Sequence, residues 1–330
     1  MDLSFLENKS HGKDMTVEIS VDLANIHLSV PIIAASGTYG YGGDEYQPLL
    51  GHQAWGAIIT KAVSLKPLIG NPPPRIWETP CGLLNSIGLQ NIGIERFIKE
   101  KCPIYKSLNI PVIVNFFGFS IEEYGEMAKL LDSIEVIKAV EVNISCPNKK
   151  ETGMIFGQDP KLTFQVTAAV KENTNLPVIV KLTPNVTDIK SIAIAAKDGG
   201  ADILSLVNTV SGMAIDIESG LPRLGGITGG LSGPAIKPIA LKMVWDVAEV
   251  VDIPIIGIGG IKEGPDAIEF FMAGASAVQI GTAIFSDPTS PLKIKDYIVE
   301  FLKRKKMKSI NEIIGITHQK LKEKMERINR

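Results

Sequence analysis

Cys146 stands in the run Asn143-Ile144-Ser145-Cys146-Pro147-Asn148, where an apolar stretch gives way to polar residues and to a proline that ends strand pairing. A thiolate at such a place could act as base or nucleophile. A lone cysteine is more often a small buried hydrophobe, but asparagines at this and neighbouring run ends favour chemistry here. Lys61 and Lys181 each follow an apolar run, and together they suit charge compensation of an anion or of a reduced cofactor. Ser36, Asn115 and Asn208 with Thr209 end further runs of the same kind. Two more close on small residues, Gly259-Gly260 and Gly281-Thr282, where a backbone can approach a ligand and a following helix N-terminus can hold a phosphate. Fixed cations, side-chain amides and glycine backbone suit an anionic, planar ligand rich in hydrogen-bonding groups.

The glycines do not spell a dinucleotide fingerprint, because the run GIGGIKEG over 257–264 has Lys262 where G-x-G-x-x-G needs its last glycine. Cys81 and Cys102 lack the polar company of Cys146 and read as packing residues. Three cysteines without a CxxC pair argue against a disulfide framework and against a zinc or iron–sulfur site in this chain. His11, His27, His52 and His318 form no ligand spacing, so no metal is assigned.

Eight uncharged or nearly uncharged runs must position these residues: 31–36, 57–63, 111–117, 139–145, 177–183, 203–209, 254–260 and 277–283. Most are continuously apolar rather than alternating, the habit of strands covered on both faces in a parallel sheet. Helical periodicity lies between them, over Thr187–Lys197 with Thr187 as N-cap, over Ile236–Val250, and over Pro265–Met272 opened by its proline. Eight β–α alternations in one chain predict an α/β fold, a (β/α)8 TIM barrel, with an open doubly wound sheet as the alternative. The connections after the second and sixth strands, 64–110 and 210–253, are long and rich in Gly, Pro and Asn, and loops of that length are usually functional.

The 330 residues are 45% hydrophobic and 21% charged, which excludes intrinsic disorder. A net charge of −2 excludes a chain-wide nucleic-acid or membrane-surface binder. The N-terminus has no apolar signal core, and no run reaches the ~18 apolar residues of a membrane span, so a soluble, cytoplasmic, single-domain protein over 1–330 is expected. Residues about 1–16 form an extension. The last thirty, about 301–330, hold ten basic residues against three acids and read as a solvated amphipathic helix.

The segments NPPPRIWETPCGLLNSIGLQN, VNISCPN, VKLTPN, LVNT, GGLSGPAIKP, IGIGGI and IGTA resemble, in order, the catalytic chain of the dihydroorotate dehydrogenase family, from about residue 17 to about residue 300. The NPPPR…GLLNSIGLQN stretch looks most like its NAD-linked, heteromeric class 1B. Leu84 departs from the methionine expected in GMLN. The resemblance implies an FMN-bearing barrel that oxidises (S)-dihydroorotate to orotate in pyrimidine biosynthesis. FMN would meet Ser36, Lys61, Ala62, Asn115, Asn143, Lys181, Val207, Gly233, Gly259, Gly260, Gly281 and Thr282. Substrate would meet Lys61, Asn85, Ser86, Ile87, Gly88, Leu89, Asn143, Asn208 and Thr209, with Cys146 as catalytic base. The class also implies an electron-transfer subunit carrying FAD and a [2Fe-2S] cluster, and a homodimer of catalytic chains within a heterotetramer. Fumarate-linked dihydroorotate dehydrogenase and a related pyrimidine-reducing flavoenzyme are the alternatives.

Overall fold

Strands built from Ile, Val and Ala need cover on both faces, and the computed structural model, which describes residues 16–42, 53–145 and 155–328, supplies it by closing the sheet on itself. A hairpin of β1 (Val21–Leu23) and β2 (Ile26–Leu28) comes first, burying Leu23 and Leu28. The barrel strands are β3 (Ile32–Ala34), β4 (Ala57–Ile59), β7 (Val112–Phe116), β8 (Ile137–Asn143), β9 (Val178–Leu182), β10 (Ile203–Leu206), β13 (Ile255–Ile258) and β14 (Ala277–Ile280). They pair in parallel around the ring in chain order, and β14 returns to β3. Each falls inside one of the eight apolar runs except β8, which starts two residues before its run, and the predicted (β/α)8 barrel is the observed fold.

Helices on the outside follow the expected periodicity with shifted ends. The helix Ile189–Asp198 is capped by Asp188, not Thr187, because the Asp188 carboxylate accepts the Lys190 N–H at 3.0 Å. A short turn, Pro234–Ile236, precedes the helix Lys237–Ala248, so its start is later than expected. The third helix runs Gly264–Ala273 and stops at left-handed Gly274.

The two long connections are not loops throughout. The first contains β5 (Ile76–Thr79) and β6 (Gly82–Asn85), the second β11 (Val210–Gly212) and β12 (Gly229–Ser232), and the four join in one antiparallel sheet, β11-β12-β6-β5, at the mouth of the barrel. Their sequences hid this. IWET is largely exposed and GGLS is half glycine, so neither carries the apolar signature of a strand.

The basic tail also differs from expectation in its first half. The helix Ser290–Lys305 buries Phe301 and Leu302, and Ile310 and Ile313 are buried beyond it, with the Ile310 N–H donating to the Glu18 carbonyl at 2.9 Å. Among the described residues of the tail, the terminal helix, Ile316–Ile328, has no buried residue. His318 ties its first turn down by stacking on Trp245, ring centroids 3.5 Å apart. No helix of the described residues is long and apolar enough to cross a membrane.

Candidate active site

Parallel strands end together, and here their C-terminal ends open into a cavity of about 1040 Å³, at the top of the range of small-ligand sites. Every candidate flavin contact named from the sequence borders it: Ser36, Lys61, Ala62, Asn115, Asn143, Lys181, Val207, Gly233, Gly259, Gly260, Gly281 and Thr282. So do Asn85, Ser86, Ile87, Gly88, Leu89, Asn208 and Thr209. Cys146 lies outside the described residues, as do His11 and His52. The chain leading to Cys146 is fixed, however. The Tyr124 hydroxyl donates to the Asn143 carbonyl at 2.7 Å, the Ser145 N–H donates to Asn143 Oδ1 at 3.1 Å, and Asn208 Nδ2 donates to Ser145 Oγ at 3.0 Å. Asn208 Oδ1 in turn accepts the Thr209 N–H at 2.8 Å, and Asn185 holds the Thr209 carbonyl from the next strand end.

The floor is polar. Glu141, fully buried on β8, accepts from Asn115 Nδ2 at 2.6 Å, Lys181 Nζ at 3.3 Å, Ser205 Oγ at 2.9 Å and Gln279 Nε2 at 2.8 Å. Sequence reading missed Glu141, Ser205 and Gln279, polar residues inside largely apolar strands. The signal was present: period-two alternation puts 141 and 143 on one face of β8, and the register sets Glu141 beside Asn115 and Asn143 beside Lys181.

On the opposite side of the mouth the glycines behave differently from one another. Gly260 has φ +73°, and a Cβ there would lie 2.6 Å from the Lys237 backbone nitrogen, so the fold itself demands glycine. At Gly281 the backbone is ordinary and a Cβ would sit 3.4 Å from Ala35, an acceptable packing distance, so no atom of the described residues demands glycine there. The space belongs to whatever occupies the cavity. The expected helix N-terminus for a phosphate is not free after β13, because Asp266 accepts the N–H groups of Lys262 and Glu263, both at 2.9 Å. Burial pushes the Asp266 carboxyl upward, but the hydrogen bond from Lys237 and those two N–H groups outweigh it and hold it below the ordinary carboxylate range. A phosphate here would rest on glycine backbone.

The cavity therefore fits an FMN-like group on its own terms. Its floor carries two buried acceptors without a partner among the described residues, Asn115 Oδ1 and Gln279 Oε1, next to a buried lysine, and its wall admits a Cβ at Gly281 in ordinary contact with Ala35 and Thr38. Of the other cysteines, Cys102 is buried and burial pushes its thiol up to about 11, which leaves it a packing residue. Cys81 is exposed at the β5–β6 turn, on the cavity rim.

The family model for dihydroorotate dehydrogenase matches residues 18–302, a span that takes in every barrel strand. Relatives named "Dihydroorotate dehydrogenase B (NAD(+)), catalytic subunit" include one from Citrifermentans bemidjiense, 53% identical over 90% of this chain and 97% of its own length. A second, from Geobacter sulfurreducens, is 54% identical over the same shares of the two chains. A third, from Caldicellulosiruptor bescii, is 52% identical over 91% of this chain and 99% of its own. With the barrel matched end to end and identity above one half across nine-tenths of its length, the chain belongs to the dihydroorotate dehydrogenase family.

Proposed function

We propose that the chain is the FMN-bearing catalytic subunit of an NAD-linked dihydroorotate dehydrogenase, oxidising (S)-dihydroorotate to orotate in pyrimidine biosynthesis in the cytoplasm. The observation that carries this reading is the convergence, in one cavity at the barrel mouth, of Lys61, Lys181, three strand-end asparagines and the Ser145 backbone that leads directly into Cys146. FMN, when bound, supplies an acceptor for the hydride leaving C6 of dihydroorotate. The rest falls to the protein. Lys61 meets the substrate carboxylate, the amides of Asn143 and Asn208 orient the ring, and Cys146 removes the C5 proton. Lys181 sets positive charge against the negative charge that the cofactor ring gains. The segment Asn85–Leu89 closes the site from above, held to the mouth sheet by the hydrogen bond from Asn85 Nδ2 to the Gly230 carbonyl at 3.1 Å, and it excludes water.

Electrons leaving the site require a second polypeptide, the electron-transfer subunit implied by the relatives' designation as catalytic subunits. FAD and a [2Fe-2S] cluster belong on that subunit, and two catalytic chains would pair within a heterotetramer.

The test is direct. Protein reconstituted with FMN and mixed anaerobically with dihydroorotate is expected to lose its yellow absorbance; persistence of the colour would remove the reading. Gly281→Val is expected to lose FMN by at least ~10-fold in affinity, because the added carbons stand on the cavity wall where the cofactor would lie, while thermal unfolding changes by less than about 1 kcal/mol. Stoichiometric yellow cofactor in this variant would place the phosphate elsewhere.

A further inference from the structure

The floor of the cavity contains a carboxylate that none of the roles above uses. Glu141 is fully buried and acceptor-only, and its two oxygens take four donors: Asn115 and Lys181 on Oε1, Ser205 and Gln279 on Oε2. That saturation has a directional result. A primary amide has one donor end and one acceptor end, so an amide whose NH₂ is drawn to a carboxylate must turn its carbonyl oxygen away. Asn115 Oδ1 and Gln279 Oε1 are the outcome: both are buried, both residues border the cavity, and neither oxygen has a partner among the described residues. Buried acceptors left unmet are costly, and so they mark the place of a ligand donor.

We propose that Glu141 is a positioning residue that sets the hydrogen-bond polarity of the cavity floor, and that Gln279, which it orients, is a further ligand-binding residue that accepts from an imide N–H. The inference rests on the proposed FMN reading and deepens it. An imide edge, C(=O)–NH–C(=O), supplies the N–H donor that the two amide oxygens lack, and the Lys181 ammonium supplies the donor that the flanking carbonyls need. The pyrimidine end of a flavin ring is such an edge. A glutamine at position 141 would break the arrangement, because it offers one acceptor oxygen and adds a donor of its own. One neighbouring amide must then reverse, and its NH₂ would face the imide N–H.

Two variants test this, with FMN as the probe and apoprotein titrated by the quenching of flavin fluorescence. In Glu141→Gln the dissociation constant is expected to rise at least ~10-fold, and the midpoint potential of the bound FMN to move positive, since a negative charge has been removed from beside Lys181. In Gln279→Met, which keeps the volume and loses the acceptor, the constant is expected to rise roughly fivefold, as befits one lost neutral hydrogen bond, with the potential little changed. A general loosening of the fold would not move the potential in one direction in one variant only. Wild-type affinity within a factor of two, together with an unshifted potential, in folded Glu141→Gln protein would overturn the inference. Removing one partner of a buried ion pair can prevent folding. Should that happen, Gln279→Met decides alone, and wild-type affinity in that variant would overturn the inference. Failure of the wild-type protein to bind FMN at all would instead overturn the functional reading on which it rests.

Discussion

Cys146→Ala is expected to lower dihydroorotate oxidation by at least ~10²-fold while FMN stays bound, because a general base contributes ~10²–10⁴-fold and most of the cofactor contacts lie on other strand ends. The residue before it, Ser145, is held at the barrel mouth by Asn143 and Asn208. Cys146→Ser should keep little activity near neutral pH and gain with rising pH, since a hydroxyl is a far weaker acid than a thiol with a reference pKa of about 8.5. Stopped-flow loss of flavin absorbance after mixing with dihydroorotate isolates the step from later electron transfer. Turnover by the alanine variant close to that of wild type at neutral pH would assign the proton to another group.

The second large effect concerns the destination of the electrons. The isolated chain should reduce artificial acceptors with dihydroorotate and form NADH only near background, and addition of the electron-transfer subunit should confer rapid NADH formation. Two features motivate this. Lys262 breaks the glycine run over 257–264 short of a dinucleotide fingerprint, and Asp266 already accepts the N–H groups of Lys262 and Glu263 just before the following helix. Three cysteines in the whole chain cannot supply the four thiolates of an iron–sulfur cluster, and one of them, Cys102, is buried. NADH formation by the highly purified single chain at the rate seen with artificial acceptors would refute the heteromeric reading. Preference for fumarate as oxidant would assign the chain to the other soluble class.

What could be read from the sequence divides along physical lines. Barrel strands such as Val178–Leu182 were legible because burial on both faces leaves a nearly continuous apolar run, and the residues near their ends were legible because polarity resumes abruptly at Lys181 or Asn143. Glu141 was not, since an interior charge looks like noise in an apolar strand until register shows four donors converging on it. The mouth sheet escaped for a related reason: β6 and β12 stabilise each other by backbone pairing over residues such as Gly229 and Gly230, whose side chains carry no pattern. Asp188 displaced Thr187 as a cap because two good capping residues stood side by side, and only the hydrogen bond distinguishes them. The first half of the basic tail was misjudged through its charge, which hid the buried Phe301, Leu302, Ile310 and Ile313.

The mouth sheet also sets an order of events in the life of the chain. The bond from Asn85 to Gly230 closes a loop of 145 positions, and such pairings are entropically slow to form and follow local structure. A chain made from its N-terminus holds the β5–β6 hairpin without its neighbouring strand until β12 emerges, and it lacks part of the cavity wall until Gly281, late in a chain of 330 residues. Cofactor capture is therefore a property of the finished polypeptide and cannot assist the early stages of its folding.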